Sequence, residues 1–219
     1  MDDRLWVAPV AADARGLVLM MHGGAQHGER DVDGRSLALR RTRVMRAAIA
    51  PGLRRAGVAT AVLRFTAKGW HARAAGGAEP SPVRDARAAL ADLHTAHPDL
   101  PIVLLGHSMG ARTGAWAADA PGVVGVVGLA PWFPQDDPVE ALAGRHLVAV
   151  HGNRDRITSP RHSRRYVERA AEVAASARYV DMGPLGHYML RGAARWNRVA
   201  VTETVGVLDR HVGGVTLPD

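Results

Sequence analysis

The 219-residue sequence contains no cysteine. A disulfide framework and a thiolate metal site are therefore both excluded. Long apolar runs are also missing, and no stretch approaches the roughly 18 residues that a membrane-spanning helix needs. The N-terminal MDDRLWVAPV is acidic and lacks the basic and apolar regions of a secretory signal. A cytoplasmic location is the expectation that follows. Lysine is almost absent: all but one of the 28 basic residues are arginine, Lys68 being the exception, and the formal charge is +7. A basic chain raises the question of nucleic acid. Here, however, the arginines are spread along the whole sequence. Their densest runs, Arg35–Arg46 and Arg154–Arg169, fall where helices are expected, and charged helix faces are ordinarily solvated. No recognised nucleic-acid motif accompanies them, so no nucleic-acid partner is expected.

What the sequence does have is alternation. Short apolar runs occur at Gly16–Met21, Val58–Arg64, Ile102–Gly106, Val123–Ala130, His146–His151 and Ala177–Asp181. Each has the length of a buried strand, and near-continuous apolar character suits strands covered on both faces. Leu5–Val10 could add an edge strand. Helix signals lie between the runs. Ser81-Pro82 and Ser159-Pro160 each pair an N-cap residue with proline at the first helical position. Met109–Asp119 reads as a helix stopped before Pro121, and Thr42–Ala56 as one that Pro51 kinks or restarts. The last helix spans roughly Ala193–His211. The pattern predicts one α/β domain over residues 1–219, with a mostly parallel sheet wrapped by helices on both faces. In such a sheet the ligand site is built by loops after the strands.

The run Ile102–Gly106 leads into Gly106-His107-Ser108-Met109-Gly110, and a helix follows. A serine in a sharp strand-to-helix turn is held in a strained conformation with its hydroxyl clear of the sheet edge, and the flanking glycines avoid backbone collisions. Ser108 then sits at a helix N-terminus, where developing negative charge is favoured. A serine hydroxyl is a weak nucleophile at neutral pH, and it needs a base that is itself oriented by a carboxylate.

The segment LLGHSMG resembles the nucleophile elbow of the α/β-hydrolase superfamily. The likeness extends from about Gly16 to Gly206 and is nearest to small lidless members such as dienelactone-hydrolase-like proteins, carboxylesterases and acyl-protein thioesterases. It implies the α/β-hydrolase fold and the chain order Ser, acid, His. His151-Gly152-Asn153-Arg154-Asp155 resembles the acid loop and assigns Asp155, with Asp136 and Asp137 as fallback acids. Gly186-His187 after the last strand resembles the loop of the catalytic histidine; position singles His187 out from the eleven histidines present. His22-Gly23-Gly24-Ala25 resembles the oxyanion-hole loop. The two oxyanion donors are then the N–H groups of Met109 and Gly24, with Ala25 as the nearby alternative. His22 is expected to brace that loop. A metal site from His22 and His27 is not expected, and neither is a cofactor.

The segment from Ala130 to Arg145 is too short for a helical lid, so an open site without a lid domain is expected. Trp132 and Phe133, just past a strand end, and Trp70 are candidate substrate-binding walls, with core packing as the alternative for each. Arg64 and Arg112 are weaker candidates for meeting an anionic substrate group. The expected chemistry is cleavage of a small-molecule carboxylic ester or thioester through an acyl-serine. Acyl transfer, perhydrolysis and amide cleavage would use the same triad, and a non-catalytic binding module on this fold is a further alternative.

Overall fold

A computed structural model of the protein describes residues 3–70 and 79–214. Among these residues seven strands form one sheet: β1 (Leu5–Val7), β2 (Gly16–Met21), β3 (Val58–Leu63), β4 (Ile102–His107), β5 (Val123–Leu129), β6 (His146–His151) and β7 (Ser176–Asp181). Their order across the sheet is β1-β3-β2-β4-β5-β6-β7. Only β1 runs antiparallel, pairing Leu5 with Leu63 and Val7 with Ala61. Strands β2, β4 and β5 are buried at every position, in keeping with their unbroken apolar sequence. The edge strand is shorter than the Leu5–Val10 run suggested. Ala8 still donates to the Thr60 carbonyl, but Pro9 has no N–H to continue the ladder.

Among the described residues five helices cover the sheet: α1 (Leu37–Arg55), α2 (Ser81–Ala96), α3 (Met109–Trp116), α4 (Pro160–Ala170) and α5 (Ala193–Gly214). Helices α1 and α5 pack together on one face. Adjacent positions of β5 fix the sides: a Cβ at Gly125 would meet Val207 of α5, whereas Gly114 of α3 lies against Val126. Glycine at 125 and 114 thus lets a helix approach each face closely.

Several helix ends differ from the sequence expectation. Helix α1 begins at Leu37 rather than Thr42, because the Ser36 hydroxyl accepts from the Leu39 N–H and caps it earlier. Pro51 stays inside that helix without ending it, and Ile49 and Leu53 on either side are fully buried. Their packing offsets the lost backbone bond. Helix α4 is capped by Ser159 as its sequence suggests. Helix α2 is not capped by Ser81: Pro80 holds the cap position, and Ser81 is buried as the first helical residue. Helix α3 ends at Trp116, before Asp119, and α5 runs on past His211 to Gly214.

Between β5 and β6 the only regular element is a three-residue 3-10 turn, Glu140–Leu142, so this segment forms no lid domain over the sheet edge. No helix among the described residues is long and apolar enough to cross a membrane. The chain reverses direction across the sheet between β2 and β4, which are direct neighbours with Met21 opposite Gly106. In open α/β sheets this switch point is where ligands bind, at the carboxyl ends of the strands. The HGG loop follows one of these strands and the serine turn follows the other.

Candidate active site

Ser108 has φ 53° and ψ −114°, a conformation rarely adopted by a residue with a side chain. The neighbouring glycines are what make the turn feasible. A Cβ at Gly106 would lie 2.3 Å from the backbone of Gly110 and Ala111, and one at Gly110 would lie 2.4 Å from the Met21 carbonyl oxygen. The turn is closed by backbone bonds. Ser108 donates to Leu129 O, and its own carbonyl accepts from Trp132 N–H at 3.2 Å. Ser108 is 6% exposed, and its hydroxyl has no hydrogen-bond partner among the described residues.

His187 Nδ1 lies 2.8 Å from Asp155 Oδ2. Asp155 does two things at once. Its Oδ1 caps its own loop by accepting the N–H groups of Ile157 and Thr158, at 2.8 and 2.9 Å, while Oδ2 faces the imidazole. Burial alone would raise its pKa. Hydrogen bonds from His151, His187, and the Thr158 and Ile157 N–H groups outweigh that and hold the carboxyl well below the usual carboxylate range. Asp155 is thus a fixed anion whose side chain is fully buried beneath His187. The fallback acids are placed elsewhere. Asp136 is exposed, and Asp137 receives both the Nε and NH2 groups of Arg112 at 2.6 Å.

The HGG loop adjoins the serine: a Cβ on Gly23 would lie 3.5 Å from Ser108 Cβ, and one on Gly24 would collide with the Met109 side chain and with Lys68 O. The Gly24 and Met109 N–H groups have no acceptor among the described residues, whereas Ala25 N–H is already committed to Lys68 O at 2.9 Å. Ala25 N–H is thus already bonded, while the Gly24 and Met109 N–H groups are left to meet an acceptor. His22 braces this loop in a fixed tautomer. Phe65 N–H donates to its Nε2, so Nδ1 carries the proton and donates to Gly23 O at 2.7 Å. Burial lowers its pKa to about 4, which keeps it neutral. Both ring nitrogens are thereby used, and no metal-binding group of histidines and carboxylates occurs among the described residues.

The candidate wall residues separate. Phe133 is 2% exposed and stacks on Tyr166 with ring centroids 4.2 Å apart, so it packs in the core. Trp70 is also buried, edge-on to Trp116 and Trp132. Trp132 is partly exposed, and its backbone N–H is bonded to the Ser108 carbonyl. Arg112 does not offer a free charge to a substrate. Its guanidinium is neutralised by Asp137 and lies 3.9 Å and 4.4 Å from the Trp70 and Trp132 ring centroids. Arg64 pairs with Asp3 and Val32 O.

Three supports escaped the sequence reading. The loop after β3 is stitched to the HGG loop by Ala25–Lys68, Lys68–Arg30, Gly69–Gly28 and Trp70–Ala25 backbone bonds. Asp85 on α2 anchors that loop through Thr66 N–H at 2.7 Å. His107 and His151 reach the base and the acid. A signal for His151 was present, since the HGNRD segment begins with it, but nothing in the segment says where its ring points.

Comparison with known proteins agrees with this architecture. Residues 79–150, from α2 to β6, match the family described as serine aminopeptidase, S33. The sequence matches no curated protein. An α/β serine hydrolase homologue from Coxiella burnetii superposes with a TM-score of 0.66 at 16% identity, over 91% of this chain and 90% of that one. A Xanthomonas campestris protein described as an α/β serine hydrolase without lid gives 0.59 at 18% identity, over 98% and 90%. Acyl-protein thioesterase 2 from Zea mays gives 0.60 at 16% identity, over 93% and 99%. The chain has the α/β-hydrolase fold.

Proposed function

We propose that the protein is a serine hydrolase that cleaves a carboxylic ester or thioester, with Ser108 as nucleophile, His187 as base and Asp155 as the orienting acid. The observation that carries this reading is the 2.8 Å bond from His187 Nδ1 to a buried Asp155 at the same sheet edge as the strained Ser108 turn. With Nδ1–H held by the carboxylate, Nε2 is the basic nitrogen. It takes the Ser108 proton as Oγ attacks the substrate carbonyl carbon. The oxyanion formed is met by the N–H groups of Gly24 and Met109. His187 then returns the proton to the departing alcohol or thiol, and a water molecule, deprotonated by the same nitrogen, releases the acid. The reading calls on no cofactor. Trp132, partly exposed and bonded through its N–H to the Ser108 carbonyl, forms one wall of the acyl site.

The test is turnover of a series of p-nitrophenyl esters, with acyl thioesters of matching chain length. Asp155→Asn should slow the preferred substrate by about 10⁴-fold, the size seen when a triad acid no longer fixes its histidine. Wild-type turnover that Asp155→Asn and His187→Ala both leave intact would remove the proposal.

A further inference from the structure

We propose that His151, buttressed by Ser163, is a positioning residue of the reaction: it fixes Asp155 Oδ2 and shares that oxygen's charge with His187. This rests on the catalytic reading of Ser108, His187 and Asp155. Two imidazole donors converge on Oδ2, His187 Nδ1 at 2.8 Å and His151 Nε2 at 3.0 Å, with the Thr158 hydroxyl 3.1 Å from the same oxygen. The two imidazoles thus meet at one atom. Behind His151, Nδ1 lies 2.9 Å from Ser163 Oγ. His151, Ser163 and the Asp155 side chain are all 0% exposed, so no solvent competes for these bonds.

The chemistry fixes the direction of each bond. A carboxylate oxygen only accepts, so His151 Nε2 must carry a proton. In the neutral ring Nδ1 is then an acceptor, and Ser163 donates to it. Ser163 selects the tautomer that lets His151 hold the acid. A chain of side chains follows: Ser163 to His151, His151 to Asp155, Asp155 to His187. Loss of the His151 bond would leave Oδ2 with more charge for His187 and a freer rotation about its own Cβ–Cγ bond. His187 would become more basic and less well aimed. The other groups facing His187 are the Thr158 hydroxyl at 3.1 Å from Nδ1, the His107 ring at 4.9 Å and the Tyr188 ring at 5.5 Å, with the Arg41 guanidinium beyond Tyr188. All of these are unchanged in a His151 variant.

The experiment combines the pH profile of kcat/KM for p-nitrophenyl acetate with ¹⁵N-histidine NMR of the intact protein. In His151→Leu the acid limb should move to higher pH by about half a unit, since one unit corresponds to a tenfold change in proton affinity. The rate should fall about tenfold, in line with loss of one hydrogen bond to a charged group. His151→Gln places an amide donor where Nε2–H was and should restore the limb and most of the rate. The NMR spectrum of the wild type should show His151 as the Nε2–H tautomer, and Ser163→Ala should allow the Nδ1–H form to appear. An unmoved acid limb, with equal losses in the Leu and Gln variants, would reduce His151 to a space-filler. A wild-type Nδ1–H tautomer would overturn the proposal outright. If the tautomer is as stated but wild-type Ser108 is unreactive, the pairing stands, and the catalytic role fails together with the reading beneath it.

Discussion

His107 Nε2 lies 3.0 Å from the backbone carbonyl oxygen of His187, so the residue before the candidate nucleophile ties down the loop that carries the candidate base. A carbonyl accepts, so Nε2 is the protonated nitrogen. Burial, reinforced by the nearby His187, lowers the pKa of His107 to about 3 and keeps it a neutral donor. Serine turn and histidine loop are thereby held in register by a bond independent of the Asp155 contact. His107→Leu removes the bond and leaves a buried carbonyl without a partner, which costs about 1–3 kcal/mol. The expected result is a lower unfolding midpoint in urea and slower ester turnover. An unchanged midpoint would show that the bond holds nothing.

The strain at Ser108 makes a prediction that separates backbone from chemistry. Glycine adopts positive φ without penalty, whereas alanine does not. Ser108→Gly and Ser108→Ala should both be inactive, but Ser108→Gly should be the more stable of the two, by about 1 kcal/mol. Chemical denaturation of the two variants side by side reads the difference. Equal stabilities would argue that the turn carries no strain.

Acid should destabilise the fold early. His22 and His107 have folded pKa values of about 4 and about 3, below the ordinary 6.5. The unfolded chain therefore binds more protons than the folded one between these values, and stability rises with pH across that window. The contribution is complete above pH 6.5 and is lost progressively as the pH falls toward 4 and then 3. Asp155, held below the carboxylate range, adds its own loss at still lower pH. Unfolding free energies at pH 7.5, 6 and 4.5 should decline by a few kcal/mol in all, since each tenfold change in proton affinity is worth about 1.4 kcal/mol. A flat profile would contradict the buried neutral histidines.

Asp137 and Asp155 should fail in opposite ways. Asp137→Asn breaks a buried pair with Arg112 and leaves the guanidinium uncompensated between two tryptophans, a loss of about 3–5 kcal/mol. Its melting temperature should drop markedly, while turnover of the folded fraction stays within a few-fold of wild type. Asp155→Asn should keep a stable fold and lose turnover. The reverse pattern would place the acid after β5 instead of after β6.

The succession of strands, the sharp turn at Ser108 and the loops that carry Asp155 and His187 could be read from the sequence because each is carried by a local pattern: an apolar run followed by glycine-rich punctuation. Elements set by one capping side chain were less visible. Ser36 starts α1 a turn and a half before its apolar periodicity begins, and Pro80 rather than Ser81 precedes α2. Residues whose role lies in side-chain direction were not legible at all. Arg112 looked like a free cation, because nothing local shows that Asp137, 25 positions away, would neutralise it. His107 and His151 sit in the very motifs that drew attention to Ser108 and Asp155, yet their partners are the His187 carbonyl and Ser163. Trp70 and Phe133 were ambiguous because a loop tryptophan or phenylalanine fits a pocket wall and a core equally well; the tertiary packing placed them in the core.

The account stands on Ser108 as a nucleophile. The most direct measurement is labelling of the native protein with a fluorophosphonate, followed by peptide mapping. The account predicts one adduct, on Ser108, formed quickly at pH 8, slowed in His187→Ala, and absent from Ser108→Ala. Labelling at another residue, or none on folded wild-type protein, would contradict it.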